Sequence, residues 1–575
     1  MFGFVGSITS GEKNNTQLAY EQKGESAVVS NTVEFQRVKI HRTSLDKFID
    51  DKVFFEDDEI IIVIEGVIYN FCDLEKKYKI KDRGLLLKEI YFESGLDAMA
   101  DMLNGYFAGV FFDKRNNKLQ LVCDHITYKP VWYCLSEGTL YFSTDIDWLY
   151  KTVAHNRGSL ELDFDGAYCL LNYGYMLGDV TPVKGVKKLL AGHILEFDTQ
   201  IKIREYYSIP VRVNDQKVAA DYNVEDILCR IDDALRKSIE RVYKKDDEYG
   251  YRHCATLSGG LDSRLVVFLA KDMGYETLCL TMGEANCQDI QISSEICDDL
   301  KLEHMVYELN NGLFLMDFDA AVIGNGGTIL PSGFLHSYRL KSLVNLTECG
   351  AIHSGDLGDL ILGGSLIGDI NNQKIDLTKA MYASVFLDGF SEEFKNKEIS
   401  RYQDQFHFNF YNRGLNSAGN GCIATQRYTE CSSPFVDKDL MNVMFAVPYE
   451  LLAGHKIYME YLKRYLPKAC QFVWTGTGCK PTDSKIKQTL KFCLRAFKFK
   501  VLHRADSMNP YEKWYNRNTE LVELFNETYN NAAGSIKKNE RLWCDLTSRF
   551  KSNRVMDKTL ACSLIRLIEI YNLKV

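Results

Sequence analysis

The first two hundred residues carry apolar positions in short β-type runs broken by polar stretches. Glu59–Phe71 (EIIIVIEGVIYNF), Lys118–Asp124 (KLQLVCD), Thr139–Asp145 (TLYFSTD) and His193–Asp198 (HILEFD) are separated by polar or glycine-containing turns. Runs of this length and spacing predict stacked β-sheets with few helices. Ser208–Lys217 (SIPVRVNDQK) reads as a linker. From Val224 the period changes, and Ile227, Ile231, Leu235 and Ile239 recur four apart within Val224–Tyr243, which predicts an amphipathic helix. Short apolar strands then alternate with helices: strand Cys254–Leu257, helix Ser263–Lys271 closed by Gly274, strand Thr277–Met282, helix Gln291–Lys301 and strand His304–Leu309. That alternation predicts a doubly wound parallel sheet, and such sheets bind ligands at the carboxyl ends of their strands. Beyond residue 330 the pattern is mostly helical, and Lys485–Arg504 holds seven basic residues and no acidic one.

Charge and composition narrow the classes. The 575 residues carry 69 Lys+Arg against 78 Asp+Glu, a net charge of −9, which speaks against a chain built to bind nucleic acid. A hydrophobic share of 46% excludes disorder as the main state. No apolar run is long enough to span a bilayer. The start, MFGFVGSITSGEKNN, has no basic stretch before an apolar core and does not resemble a secretory signal. The 17 cysteines are odd in number and form no Cys-x-x-Cys pair. Cys254, Cys279, Cys297 and the others are therefore expected as buried thiols of a cytoplasmic protein, with no zinc site.

Ser258-Gly259-Gly260-Leu261-Asp262-Ser263 joins a predicted strand to a predicted helix. Two glycines expose backbone N–H groups, the helix start adds partial positive charge, and Ser258 and Ser263 add hydroxyl donors. These are the elements of a phosphate cradle. Asp262 has the wrong sign for a bare phosphate and makes sense with a divalent cation. A second small-residue turn, His353-Ser354-Gly355-Asp356-Leu357-Gly358-Asp359, follows Ala351-Ile352. Asp262 and Asp359 are thus candidates to share one magnesium ion.

Together these residues resemble the asparagine synthetase family. Ser258–Arg264 (SGGLDSR) resembles its pyrophosphatase-type nucleotide loop, Ser354–Gly364 (SGDLGDLILGG) its SGxGxDExxGG segment, and Glu430–Asp437 (ECSSPFVD) its ExRxPFLD segment. In the N-terminal part Glu65–Asn70 (EGVIYN) resembles NGEIYN. Asn104–Asp113 (NGYFAGVFFD), Cys123–Tyr133 (CDHITYKPVWY) and Thr181–His193 (TPVKGVKKLLAGH) resemble further family segments in the family's order. The resemblance implies an α/β protein. Residues 1–207 would form an Ntn-hydrolase-like α+β sandwich of glutamine amidotransferase type, residues 208–223 a linker, and residues 224–575 a synthetase domain. That domain would be a doubly wound parallel sheet of the PP-loop (adenine nucleotide alpha-hydrolase-like) kind with many helices.

Carried over by position, Leu257, Met282 and Gly283 would line the adenine and ribose of ATP. Ser258, Gly259, Gly260 and Ser263 would hold pyrophosphate, beside Ser354 and Gly355. Asp262 and Asp359 would hold Mg2+. Asp356 and Glu430 would be catalytic carboxylates, and Lys480, with Lys456 as the alternative, the lysine that neutralises pyrophosphate. The departures are as informative. The family's glutaminase nucleophile is a cysteine after the initiator Met, and here that residue is Phe2, which cannot attack an amide. The family's Asn-Gly-Glu turn has become Glu65-Gly66-Val67, and Asp82 lies in KDRG where the family has an aspartate in SDTE.

The expected activity is an ATP-dependent carbon–nitrogen ligase that adenylates a carboxylate, releases pyrophosphate and passes the acyl group to ammonia or an amine, with an inactive glutaminase half. Asparagine is the default product. A uronic acid of a surface polysaccharide, or a β-lactam-forming or peptide-cyclising reaction, are alternatives. Readings from other classes are an ATP-using RNA-modifying enzyme, supported by Lys485–Arg504 alone, and a binding protein that has lost turnover. Expected partners are a small-molecule or glycan carboxylate and an ammonia or amine donor, with no nucleic acid, no membrane span, and a homodimer as the expected assembly. Lys485–Arg504 is read either as a solvated helix or as a contact with an acidic surface.

Overall fold

A computed structural model describes residues 2–20, 28–209, 222–364, 374–422, 424–484, 486–487, 490–491 and 508–575. The N-terminal half builds two six-stranded antiparallel sheets from β1 (Gly3–Thr9), β2 (Val28–Phe35), β3 (Val38–Leu45), β4 (Phe54–Glu56), β5 (Ile60–Ile68), β6 (Gly105–Asp113), β7 (Lys118–Cys123), β8 (Trp132–Ser136), β9 (Thr139–Ser143), β10 (Val186–Lys188), β11 (His193–Phe197) and β12 (Ile201–Glu205). One sheet runs β10-β8-β9-β1-β3-β2 and the other β12-β11-β7-β6-β5-β4. Strand β5 shows why its sequence is an unbroken apolar run. Ile61 and Val63 face the opposing sheet, with Phe4, Ile8 and Ile40 across the gap. Ile60, Ile62 and Ile64 face helices Phe71–Tyr78 and Arg83–Met102. A strand buried on both faces loses the polar half of its alternation. The short spacing of the β-type runs predicts few helices, but helices cover both outer faces of this sandwich. Helix Arg83–Met102 breaks at Gly95, whose φ is 78°, and the break blurs its apolar period.

The C-terminal half centres on five parallel strands in the order β15-β14-β13-β16-β17. They are β13 (Arg252–Thr256), β14 (Leu278–Gly283), β15 (His304–Glu308), β16 (Cys349–His353) and β17 (Cys431–Ser432). Helices Val224–Glu248, Asp262–Asp272 and Gln288–Leu300 pack one face, and helix Leu335–Leu343 the other. The chain steps outward from β13 to β14 and β15, then crosses to β16 on the other side. This reversal opens a crevice between the carboxyl ends of β13 and β16, where α/β sheets take ligands. Cys254, expected as a free thiol, is bonded to Cys349 across these two strands, with Cα atoms 6.1 Å apart; Cys279 and Cys297 are free and buried. Adjacent strands bring the first pair together, and spacing along the chain gives no hint of it. No helix among the described residues is long and apolar enough to cross a membrane. Most of the linker at 208–223 and most of Lys485–Arg504 fall outside the described residues.

The two halves share buried structure. Trp132, Leu149, Val153 and Leu170 pack in one cluster with Leu560, Leu564 and Leu567 of helix Val555–Ile570. Lysines of the N-terminal half enter the C-terminal half: Lys47 donates to the carbonyls of Leu346 and Cys349, and Lys188 to Asn416 Oδ1 at 2.9 Å. Lys438 returns the favour, donating to the Asp101 carbonyl at 2.8 Å.

Arg264 is fully buried and staples the Gly-Gly loop to the chain beyond it. Its guanidinium donates to the carbonyls of Ala469 (3.0 Å), Phe472 (3.2 Å), Val473 (2.6 Å) and Gly259 (3.2 Å). A lysine offers no planar fork with five donors. Arg264→Lys is expected to lower stability by on the order of 3 kcal/mol, read as a lower urea midpoint with an unchanged slope.

Candidate active site

The loop after β13 runs straight into helix Asp262–Asp272, whose N-cap, Leu261, caps it with no side-chain hydrogen bond. Ser258 Oγ and Ser263 Oγ lie 3.0 Å apart, and the Ser258 N–H donates to Ser263 Oγ at 3.0 Å. The Gly260 N–H donates to Ser258 Oγ at 3.2 Å. The Gly259 N–H meets a carboxylate, Asp289 Oδ1, at 3.0 Å. The loop therefore already holds negative charge at one of its backbone donors.

The loop after β16 packs directly on this cradle. A Cβ on Gly355 would lie 2.4 Å from the Ser263 backbone nitrogen, and one on Gly358 would lie 2.7 Å from Asp262 Cβ and Cγ. Only glycine lets the two turns meet this closely. Leu357, at the position of the second glycine in the family's SGxGxD pattern, holds φ at 65°. A non-glycine residue there stores strain of about 1–3 kcal/mol. Ser433 Oγ donates to the Asp356 carbonyl at 2.7 Å, and the Ser354 N–H donates to the Ser432 carbonyl at 2.8 Å, so β17 holds the second loop in place.

The two turns and their strands enclose a cavity of about 320 Å³. Leu257, Ser258, Gly260, Asp262, Ser263, Met282, Ser354, Gly355 and Asp356, all expected site residues, line it. Leu280, Ile352, Phe334 and Met508 add apolar wall. Gly259 is packed against Thr475, and Gly283 against Cys287 and Met508. Desolvation first, and the negative charge of Asp359 second, push Asp262 up to about 7. Tyr458 Oη donates to Asp262 Oδ1 at 3.1 Å, and His455 Nε2 lies 2.9 Å from Asp359 Oδ1. Two neighbouring carboxylates that repel one another are hard oxygen donors suited to Mg2+.

Two expected site residues are corrected. Glu430 does not line the cavity. Its side chain is 1% exposed and ion-paired with Lys52 at 2.9 Å and Lys129 at 3.1 Å. Despite burial, those lysines hold its carboxyl down at about 2, far too acidic to take a proton from an amine near neutral pH. Lys480 does not line it either: it is exposed, its N–H donating to Asp483 Oδ2 at 3.0 Å. Lys456 Nζ donates to the Glu450 carbonyl at 2.9 Å.

The cavity instead has Lys341, 5% exposed, whose Nζ lies 3.0 Å from Cys431 Sγ. His336 lines it too, held neutral by burial with its pKa at about 4. Neither was legible, because helix Leu335–Leu343 carries no motif and only the fold turns it toward the loops. A buried chain beneath β16 was missed as well. His353 Nε2 lies 2.8 Å from Asp246 Oδ2, and His353 Nδ1 lies 2.7 Å from Ser432 Oγ. It ties helix Val224–Glu248 to the residue just before Ser354.

The N-terminal positions that depart from the family pattern lie in and around the sandwich. Phe2 precedes β1, and Glu65 is fully buried, accepting from Ser44 Oγ and lying 3.7 Å from Lys52. Asp82 caps helix Arg83–Met102, accepting from the Leu85 N–H at 2.8 Å.

An antiparallel sandwich flanked by helices, joined to a parallel sheet with a two-loop anion cradle at its switch point, defines an amidotransferase–synthase architecture. The glutamine amidotransferase domain family matches residues 37–207 and the asparagine synthase family residues 230–420. The chain belongs to the asparagine synthetase family. It is 25% identical over 276 residues to asparagine synthetase (glutamine-hydrolyzing) 2 of Bacillus subtilis, covering 44% of this chain and 36% of that protein. It is 27% identical over 353 residues to a putative asparagine synthetase (glutamine-hydrolyzing) 2 of Methanocaldococcus jannaschii, covering 58% and 65%. A second putative asparagine synthetase of that organism is 21% identical over 468 residues, covering 79% and 75%. The match thus spans under two thirds of the length of the first two relatives.

A carboxyl depressed to about 2 in the fold, against about 4.3 unfolded, contributes stability that is fully present above about pH 5. That stability is lost as pH falls toward 2. Glu430→Gln is therefore expected to cost about 3–5 kcal/mol at pH 7 by leaving buried Lys129 without its ion-pair partner and Lys52 with only the longer 3.7 Å contact to Glu65. The gap to the parent chain should close as pH approaches 2, measured by denaturant unfolding at a series of pH values.

Proposed function

We propose that the protein is an ATP-dependent carbon–nitrogen ligase. It activates a carboxylate as an acyl-adenylate and passes the acyl group to ammonia or an amine, without hydrolysing glutamine by a cysteine route. The observation that carries this reading is the direct contact of the two turns around one cavity, with Asp262 on its lining and Asp359, exposed and outside the lining, close enough to raise the Asp262 carboxyl. The apolar wall of Leu257, Leu280, Met282 and Met508 suits a purine ring. The start of helix Asp262–Asp272, with Ser258 and Ser263, suits the β- and γ-phosphates.

In this reading the substrate carboxylate oxygen attacks the α-phosphorus and the bond to pyrophosphate breaks. The helix start and the two serine hydroxyls hold the leaving pyrophosphate. Lys341, buried on the cavity wall, supplies the positive charge first assigned to Lys480. Mg2+, held by Asp262 and Asp359, would offset the charge of the phosphates. The nitrogen donor then attacks the acyl carbon, and AMP leaves. Asp356, half-buried on the same wall, takes the proton that Glu430 is too acidic to take. The family's default acceptor is aspartate, and Asp356 and Lys341 on the cavity lining equally admit other carboxylates such as a uronic acid.

The test is pyrophosphate release with ATP, Mg2+ and a panel of carboxylates. Asp262→Asn, Asp359→Asn and Lys341→Met are each expected to lower the rate by about 100-fold or more. Ammonia is expected to support amide formation and glutamine alone is not. A glutamine-dependent rate equal to the ammonia rate would overturn the assignment of the N-terminal half.

A further inference from the structure

A second cavity, of about 300 Å³, lies between the two halves and shares no lining residue with the first. We propose that it is a binding site for a small organic anion with a planar or apolar body. This assignment is independent of the ligase reading.

Lys188 lines this cavity and is 3% exposed. Its Nζ donates to Asn416 Oδ1 at 2.9 Å and Asn420 Oδ1 at 3.2 Å and lies 5.7 Å from the Trp132 ring centre. Among the described residues no carboxylate is in ion-pair contact with it; Asp124 acts on it from farther away, and Glu205, also on the lining, is exposed to solvent. A cation buried without a counter-ion is costly, and burial draws this ammonium down to about 8. An anion entering the cavity would supply the missing charge.

His407, 5% exposed, lines the same cavity. Its Nδ1 lies 2.8 Å from Asp404 Oδ1, and its Nε2 is buried with no hydrogen-bond partner among the described residues. When Nδ1 donates to Asp404, Nε2 is left with a lone pair for a ligand hydroxyl or N–H. Unmet polar atoms of this kind mark a place where a partner is missing. Arg401, also on the lining, is already ion-paired through Nη2 with Asp179 at 3.0 Å and Glu398 at 3.1 Å, and only its Nη1 is without a hydrogen-bond partner among the described residues.

The remaining wall is suited to a flat apolar body. Tyr402 and Tyr411 line it with ring centres 5.8 Å apart, beside Leu415. The mixture of an apolar wall and a few convergent polar groups is that of small-molecule sites, and the volume lies at the lower end of their range.

The probe is 4-hydroxyphenylacetate, which joins a carboxylate, a ring and a hydroxyl; 2-(4-hydroxyphenyl)ethanol is its uncharged counterpart. Titration calorimetry on the full chain is expected to show one saturable site for the acid, at least tenfold weaker for the alcohol, and undisturbed by ATP with Mg2+. Lys188→Met is expected to weaken the acid at least tenfold. Because that variant touches buried structure, Ser208→Trp serves as the second test. Ser208 is exposed on the cavity lining, and a bulky ring there should block the probe while leaving basal pyrophosphate release within twofold. Absence of saturable binding, equal binding of acid and alcohol, displacement by ATP, or undiminished binding to Ser208→Trp would each overturn the assignment.

Discussion

Everything at the switch point depends on one steric constraint. The turn after β16 must rest backbone against backbone on the start of helix Asp262–Asp272. Gly355 and Gly358 permit it, since a side-chain carbon at either would collide with Ser263 or Asp262. The contact sets Asp359 close enough to raise Asp262 by charge repulsion. It also places Asp356 on the wall of the cavity that Ser258 and Ser263 floor. Arg264 fixes the Gly-Gly turn from behind by gathering four carbonyls. The cradle is thus held from two sides before any ligand enters, which is the preorganisation that makes charge stabilisation effective.

A second constraint joins the halves. Glu65, Lys52, Glu430 and Lys129 form a buried run of alternating charge from β5 of the N-terminal half to the segment just before β17. Glu430 marks where sequence resemblance and local physics part. Its motif suggests a catalytic carboxylate, but the two lysines facing it come from elsewhere in the chain and make it a structural anion. The replacement of Asn-Gly-Glu by Glu65-Gly66-Val67 has the same logic. The new carboxylate is a partner for Lys52.

Much of the fold was legible because its signals are local. The four-residue period of Ile227 to Ile239 gives helix Val224–Glu248, and the strand–SGGLDS–helix order gives the cradle. Nine of the expected residues meet in one cavity because the motifs carrying them sit at the ends of adjacent strands. What stayed hidden is non-local. Lys341 and His336 reach the cavity from a helix without a motif. Cys254 and Cys349 are neighbours only across the sheet. The Lys52–Glu430–Lys129 group needs both halves folded before it exists. Gly95 shows a different failure, a left-handed break that interrupts an otherwise regular apolar stripe.

The lysines that cross the boundary make the N-terminal half hard to discard. A chain restricted to the parallel-sheet half would keep Glu430 with neither cation, and would bare the flank of helix Val555–Ile570 that Leu149 and Leu170 now cover. The antiparallel sandwich thus acts as a supporting wall for the parallel-sheet half, whatever chemistry it carries itself.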